Sequence, residues 1–335
     1  MSEFFRDQVQ KAQPTPSSVH VNAPLTNISV AYIQSQADFI ADKVFPLIPV
    51  DKQSDIYWVY TKNDWFRDEA TQRAPGTESA GGGYNLDSTN TYYARVYAFH
   101  KDVSDQVRSN ADAALDVDRD ATMFVTQRLL IRREKQFHDN YFAASKGWKD
   151  YTGVAGVPGV NEFKKWSDYA NSDPIGDIKI ARMYIKTLTG FRPNTLTFQE
   201  EVFETLKMHP DIIDRYKYTT SNVPTAEILA KLFEVERVLV SGAVYATNGE
   251  GATGAYSFIG AKGALLCYSA PNPGLLTPSA GYTFAWKGLS GMGYSTAIKN
   301  FRMEQLESDR IEGQSAFDCK VVASDLGVFF DSAIG

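Results

Sequence analysis

The chain has 335 residues, of which 43% are hydrophobic and 22% charged, a composition typical of folded proteins and sufficient for one large or two modest domains. A formal net charge of −6 argues against a dedicated nucleic-acid-binding protein, which would be expected to carry a basic face. No apolar run approaches the ~18 residues that a membrane-spanning helix needs, and the polar residues 1–11 show no secretory signal.

The first fifty residues are predicted to be an extended arm. Residues 13–22 are rich in Pro, Ser and Thr and are predicted to be extended. Apolar residues then recur at three- and four-residue spacing, which predicts one face of a helix ending at Phe45-Pro46: Val30, Ile33, Ala37, Ile40 and Val44. A single amphipathic helix cannot bury its own stripe, so we expect it to dock on the body of the chain or on another chain.

Residues 51–102 are predicted to be a long β-excursion. The segments 56–60 and 92–99 are rich in β-branched and aromatic residues, as strands are. They are separated by roughly thirty mostly polar residues containing Pro75-Gly76 and Gly81-Gly82-Gly83, far more than the ~2–5 residues of an ordinary hairpin. A loop of this length in a compact domain usually has a function.

A long helix is predicted from about residue 116 to about residue 145, with a length of ~45 Å. Aspartates lie toward its start and basic residues further along, the favourable order for the helix dipole. The apolar residues predicted to share its broad face are Met123, Phe124, Leu130, Ile131, Phe137 and Tyr141.

Helices and strands alternate from residue 174 onward. We predict helices at 175–188, after a Thr197/Glu200 capping box, at His209-Pro210 and after Thr225. Strands are predicted at 195–198, 238–246, 264–268 and 282–286, and the segment 296–330 is strand-like throughout.

Residues with catalytic potential are sparse. His20, His100, His138 and His209 have no partner at metal-ligand spacing, so no metal or cofactor site is predicted. His209 is interpreted as a helix-start residue. No nucleophile motif is present, and Cys267 and Cys319 lie in apolar surroundings, which predicts two buried free thiols.

The order of these elements resembles the major capsid protein of tailed phages, the Hong Kong 97-like family, over nearly the whole chain. The stretches that carry this resemblance occur in the family's order: 39–46 with Pro49-Val50, 64–68 with 73–77, Arg133-Glu134, 193–196 with 209–211, and 321–323 with Gly327 and Phe329.

The resemblance implies an α+β fold with an N-terminal arm, an extended β-hairpin loop, a long spine helix, and peripheral and axial domains. The implied divisions are an arm at 1–50, the extended loop at 51–102, a peripheral domain with the spine helix at 103–172, an axial domain at 173–295, and returning peripheral strands at 296–335.

The function implied by the resemblance is structural and not enzymatic. The chain is expected to assemble in the host cytoplasm into the hexamers and pentamers of an icosahedral virion shell, which encloses double-stranded DNA without sequence-specific binding and without a membrane. The expected partners are the portal and a separate scaffolding protein, the latter because the sequence starts almost directly at the arm. A decoration protein is an optional further partner. The predicted assembly contacts are Ile33, Ile40, Val44, Phe45, Trp58, Trp65, Phe66, Arg67, Tyr93 and Tyr97.

Two alternative interpretations stay open at this point. The first is an α/β hydrolase- or transferase-like enzyme with its catalytic lobe at 173–295, which would need a pocket with convergent titratable groups. The second is a β-rich adhesin or surface-layer protein, which the missing signal and sparse cysteines weaken.

Overall fold

A computed structural model describes residues 33–60, 62–111, 116–216, 225–249, 251–274, 277–289 and 296–335. The α-helices are α1 (Ala41–Val44), α2 (Lys62–Trp65), α3 (Asp105–Asn110), α4 (Val117–Tyr141), α5 (Pro174–Thr189), α6 (Glu200–Lys207), α7 (Pro210–Tyr216) and α8 (Ala226–Leu232). The first eight strands are β1 (Leu47–Val50), β2 (Ser54–Ile56), β3 (Val59–Tyr60), β4 (Leu86–Asp87), β5 (Thr91–Tyr93), β6 (Arg95–Ser104), β7 (Lys149–Val154) and β8 (Glu162–Lys164). The others are β9 (Thr195–Gln199), β10 (Arg237–Ser241), β11 (Val244–Ala246), β12 (Tyr256–Phe258), β13 (Ala264–Cys267), β14 (Gly281–Trp286), β15 (Thr296–Met303), β16 (Ser308–Val321) and β17 (Gly327–Asp331).

One sheet is built around the long strand β16, which pairs antiparallel with β6, β14 and β15. Strand β1 extends this sheet by pairing parallel to β14, so the chain that leaves the arm enters the sheet directly. Because β6 and β16 are about two hundred residues apart in sequence, forming this sheet requires the closure of a very long loop.

The second sheet has the strand order β10-β9-β13-β17-β7-β8. Its central strand β13 pairs antiparallel with both β9 and β17, while the outer pairs are parallel. Every residue of β9 and β13 is buried, as expected for strands covered on both faces. The main core includes side chains from this sheet together with residues of α5 and α6.

Helix α4 confirms the predicted long helix, and its residue count corresponds to about 37 Å. It begins after Asp116, whose side chain accepts a hydrogen bond from the Arg119 amide at 3.0 Å. The predicted apolar face is only partly right, because Phe124 is exposed. The buried side chains instead recur mainly at every fourth residue and include polar ones: Ala121, Val125, Leu129, Arg133, Glu134, Phe137, His138 and Tyr141.

Glu134 and Arg133 lie on the buried side of α4 because they bind helix α1. The Glu134 Oε2 atom accepts hydrogen bonds from the backbone amides of Ile40 at 3.0 Å and Ala41 at 2.9 Å. The Arg133 guanidinium lies 2.5 Å from the Asp42 carboxylate. The carboxylate of Glu134 therefore satisfies amides at the start of α1 that would otherwise lack partners.

The single helix predicted over the arm is wrong in the described residues. A short 3-10 helix spans Gln36–Asp38, the backbone is extended at Phe39, and α1 then begins at Ala41. The apolar spacing reflects docking on the body: Ile40, Val44 and Phe45 are buried in the chain's own core. Val30 lies outside the described residues.

Two further boundaries differ from the sequence prediction. The predicted strand 238–246 is divided into β10 and β11. The predicted capping box at Thr197 does not form, because β9 continues to Gln199, which pairs with Ser241 of β10. The Gln199 side chain then accepts a hydrogen bond from the Glu201 amide at 2.9 Å and caps α6.

Both cysteines are free and buried, as predicted, and burial raises the pKa of each thiol to about 12. Within the described ranges, no helix has both the length and the apolar character required to span a bilayer.

The Glu134 contact gives a first testable prediction. Replacing Glu134 with Ala leaves the buried amides of Ile40 and Ala41 without an acceptor, which is expected to lower the free energy of unfolding by ~3 kcal/mol. Denaturant unfolding of the purified chain measures this loss. The matched control is Asp139→Ala, an exposed acid on the same helix, which is expected to change stability by less than ~0.5 kcal/mol. Equal effects of the two variants would contradict the assigned role of Glu134.

A second prediction concerns Asp177, in the first turn of α5. The Trp166 indole donates a hydrogen bond to its Oδ2 atom at 3.0 Å, yet burial raises the pKa of Asp177 to about 6. A carboxyl whose pKa is higher in the folded than in the unfolded chain stabilises the fold as pH falls from about 6 to about 4. Asp177→Asn is therefore expected to raise the melting temperature at pH 7, and this gain should shrink as the pH approaches 4.

The control for Asp177 lies four residues earlier on the same helix. Asp173 caps α5 by accepting a hydrogen bond from the Gly176 amide at 2.8 Å, so Asp173→Ala should destabilise the protein by ~1 kcal/mol at pH 7. Thermal unfolding across pH 4–8 compares the two variants. An Asp177→Asn protein that is less stable than the parent at pH 7 would show that the carboxylate is needed in its charged form.

Candidate assembly surface

The β-excursion contains two short, separate pairs of antiparallel strands. Strand β2 pairs with β5, placing Ser54 opposite Tyr93, and β3 pairs with β4, placing Val59 opposite Asp87. The predicted strand 56–60 is therefore interrupted. Helix α2 and a segment without regular structure connect β3 to β4. Isolated ladders of two or three residue pairs are weak, so the outer part of this excursion has little hydrogen-bonding support of its own.

Every residue from 65 to 89 is exposed. We call this segment the tip. A loop that packs on its own domain buries part of its side chains, because burial offsets the entropy of ordering it. The tip lacks this burial within the chain, which leaves it available to another surface.

Aromatic side chains are concentrated at the tip and beside it. Tyr60, Trp65 and Tyr84 form a small cluster with ring centroids 5.7–5.8 Å apart. Trp58, Phe66 and Trp65 nevertheless remain 69%, 62% and 56% exposed. Large apolar groups grouped in this way and open to solvent mark an interaction site rather than ordinary surface variation.

The base of the excursion, in contrast, is fixed to the body. The Tyr92 ring stacks on Phe284 of β14 with centroids 4.6 Å apart, and Tyr57 packs on the same ring at 5.4 Å. Lys62 of α2 forms a half-exposed ion pair with Asp325, a kind of contact that contributes at most ~1 kcal/mol. The base therefore holds the ladder in place, while the tip is held only weakly.

The predicted contact residues separate into two groups in the structure. Those that are exposed are Ile33, Trp58, Trp65, Phe66, Arg67 and Tyr93. Tyr97 is half-buried and donates a hydrogen bond to Gln136 at 3.1 Å. Ile40, Val44 and Phe45 are buried in the chain's own core.

Five large exposed apolar residues of the excursion are not among the predicted contacts: Ile56, Tyr60, Tyr84, Leu86 and Val96. A signal for Tyr60 and Tyr84 was present, since both are aromatic residues at the two ends of a long polar stretch. The sequence did not reveal that the two ends approach each other, because that depends on the pairing of β3 with β4.

Comparisons with known proteins place this surface on a recognised fold. No protein-family model matches the chain. The chain is 25% identical over 320 residues to the major capsid protein of Burkholderia phage BcepMu, and the alignment covers 94% of this chain and 97% of that relative. The crystal structure of a phage-related protein from Bordetella bronchiseptica RB50 superposes with a TM-score of 0.66 at 21% identity, covering 90% of this chain and 94% of the other.

The capsid structure of cyanophage P-SCSP1u gives a TM-score of 0.59 at 10% identity, covering 91% of this chain and 90% of the other. The chain is a homologue of phage major capsid proteins. Its fold is the α+β Hong Kong 97-like capsid fold predicted from the order of its elements.

A serine–histidine–glutamate group in this chain resembles a catalytic triad but has a structural role. Ser241 Oγ lies 2.9 Å from His138 Nε2 and donates to Glu134 Oε1 at 3.2 Å. In a triad the carboxylate binds the second imidazole nitrogen, whereas here the carboxylate of Glu134 lies near the same Nε2, at 3.4 Å. All three side chains are buried, and Glu134 is engaged by the arm.

The enzyme alternative gains no support from the remaining polar groups. A cavity of about 710 Å³ lies between α4 and the β11–β12 hairpin, and its Lys262 and Glu201 pair with each other at 3.3 Å. His209 is buried: its Nδ1 accepts a hydrogen bond from the Asp211 amide at 3.3 Å, and burial lowers its pKa. This agrees with its interpretation as a helix-start residue. Within the ranges that the structure describes, no three His, Cys, Asp or Glu residues are grouped to hold a metal ion.

The exposure of the tip predicts where the unassembled subunit is cleaved. Arg67 and Arg73 both lie in the tip. Within residues 33–216, trypsin is therefore expected to cut first after these two arginines. Mass spectrometry of a timed digest identifies the cut positions. In the Arg67→Gln/Arg73→Gln variant the early products should disappear, while the folded body is unchanged. First cuts within α4 would show that the tip is protected in the single chain.

Proposed function

We propose that this chain is the repeating shell subunit of a tailed-phage head, located in the virion. Copies assemble into hexamers and pentamers that close into an icosahedral shell around double-stranded DNA. The observation that carries this proposal is the exposed aromatic tip on a capsid fold, because the chain itself offers those side chains no cover.

The contact is heterologous: the tip of one copy lies against a different surface of the next copy. Contacts of this type generate rings when the rotation between copies closes. Full burial of a large apolar side chain contributes roughly 1.5–3 kcal/mol, so covering Trp58, Trp65 and Phe66 stabilises each contact appreciably. Each subunit has several neighbours, and multivalency makes the shell much more stable than any single contact.

The proposed domains follow one another in chain order. Residues 1–50 are the arm and 51–102 the extended loop. Residues 103–172 are the peripheral domain with α4 as its spine helix, and 173–295 are the axial domain around which rings form. Residues 296–335 return to the peripheral domain, and the packing of α4 on β16 supports this assignment.

The proposed partners are further copies of this chain, a separate scaffolding protein and the portal, with a decoration protein on the outside as an optional partner. The net charge of −6 supports a shell that encloses DNA without sequence-specific binding, since a wall that bound DNA tightly would carry a basic surface. Assembly is proposed to take place in the host cytoplasm.

The proposal is tested by removing apolar groups from the tip region. Trp58→Ser/Phe66→Ser changes two exposed side chains outside the Tyr60–Trp65–Tyr84 cluster, so the subunit itself should keep its melting temperature. The parent chain, expressed with its scaffolding protein, is expected to form shells or ring-shaped capsomers in negative-stain microscopy. The variant is expected to need at least ~10-fold more protein to assemble, the equivalent of 1.4 kcal/mol per contact.

The matched control is Val157→Ser, which also removes an apolar group that is 94% exposed, on the connection between β7 and β8. It is expected to assemble like the parent. A double variant that assembles at the parent concentration would rule out the tip as the assembly surface. A parent that stays a small oligomer at all concentrations tested, with or without scaffolding protein, would reject the shell function itself.

A further inference from the structure

A polar pocket of about 200 Å³ lies near the base of the β-excursion, where β6 meets α4 and β16. Among the residues that line it are Arg95 and Tyr97 of β6, Gln136 and Asn140 of α4, and Asp318 and Lys320 of β16. Pockets for organic ligands are lined mostly by apolar side chains, so this one suits a small polar group. A water molecule occupies about 30 Å³ in the liquid, which leaves room for a tetrahedral oxyanion with some water.

The charges that line this pocket are mainly positive. The Arg95 guanidinium forms no ion pair or hydrogen bond with any residue that the structure describes. The Lys320 ammonium lies 3.5 Å from Asp318 Oδ2, and the same oxygen accepts a hydrogen bond from the Tyr93 amide at 2.9 Å. Two cations in the lining therefore face one carboxylate that already has two partners.

A third cation lies beside the pocket. The Arg132 guanidinium lies 4.8 Å from the centre of the Tyr97 ring, and it has no acidic partner in the described part of the chain. The acids nearby do not cancel this charge. Asp139 lines the larger cavity beside the β11–β12 hairpin, and Asp42 pairs with Arg133.

The neutral side chains of the pocket add a hydrogen-bond donor. The Tyr97 hydroxyl donates to Gln136 Oε1 at 3.1 Å, which orients the Gln136 amide. Its Nε2 group has no acceptor among the described residues and stays available as a donor. The Asn140 amide donates to the Gln136 carbonyl at 2.8 Å and holds the opposite wall. A guanidinium, an ammonium and a primary amide together suit an anion that has several oxygen acceptors.

We infer that this pocket binds a phosphate group, with Arg95 and Lys320 as its charged partners and Gln136 as a neutral donor. Arginine forms paired hydrogen bonds with phosphate oxygens, and lysine supplies a point charge on a flexible chain. Inorganic phosphate and phosphomonoesters both present at least three free oxygens, one for each of these donors, whereas a carboxylate presents two. The site lies within a single chain, so binding requires neither a second copy nor shell assembly.

Isothermal titration calorimetry of the purified full-length chain with inorganic phosphate, at constant ionic strength, tests the inference. The parent is expected to show saturable binding and a higher melting temperature in phosphate, because a ligand that binds only the folded chain stabilises it. Arg95→Gln and Lys320→Gln each remove one charged donor and are expected to weaken binding at least ~10-fold. A parallel titration with glycerol 3-phosphate separates the two sources. Equal affinities assign a site open to esterified phosphate, and binding of inorganic phosphate alone assigns one for the free ion.

The matched control is Arg192→Gln, which removes the same charge from an exposed position outside the pocket and is expected to bind phosphate like the parent. Melting temperatures in phosphate-free buffer show whether each variant is folded. Equal stabilisation by sodium acetate at the same ionic strength would indicate general screening or a carboxylate site and overturn the inference. It is equally overturned if the parent shows no saturable binding or if Arg192→Gln weakens binding as much as Arg95→Gln.

Discussion

The buried carboxylate of Glu134 is the contact on which the arrangement of this chain depends. It binds the amides of Ile40 and Ala41 and the hydroxyl of Ser241, and it is carried by α4, which packs on β16. One side chain thus joins the arm, the spine helix and both sheets. A buried carboxylate is tolerated where hydrogen bonds satisfy it, and release of the arm would remove the two amide donors and leave the Ser241 hydroxyl. The fixed entry of the arm in turn fixes β1 and the base of the β-excursion.

Large aromatic side chains are buried in the body of the chain and exposed in the β-excursion. Phe45, packed against Tyr141 with centroids 4.6 Å apart, lies in the core. Trp58 and Phe66, a few residues later, face solvent. The body buries its large apolar side chains within the chain, whereas the β-excursion adds exposed apolar area. Selection keeps such exposure only when another surface covers that area.

Sequence reasoning predicted the elements better than their contacts. Helix α4 follows from the aspartates at its start and its periodicity, and the exposure of Phe66 follows from its place in a mostly polar stretch. Apolar spacing cannot reveal which surface covers a face, so Ile40 and Val44 were expected at an interface and lie in the core. The sequence does not show why Arg133 and Glu134 are buried, because the amides that bind Glu134 come from a segment more than ninety residues away.

Assembly of this kind requires that no single contact be too strong. In the proposed assembly, exposed aromatic groups at a weakly held tip can bind, release and bind again, because the stability of the shell comes from several contacts acting together. Errors in ring closure can then be corrected before several contacts act together. A tip that was rigid in the free subunit would bind more tightly at the first encounter, but it would also fix misplaced subunits. The lack of intrachain cover at residues 65–89 suits the reversible, self-correcting contact that we propose for the shell.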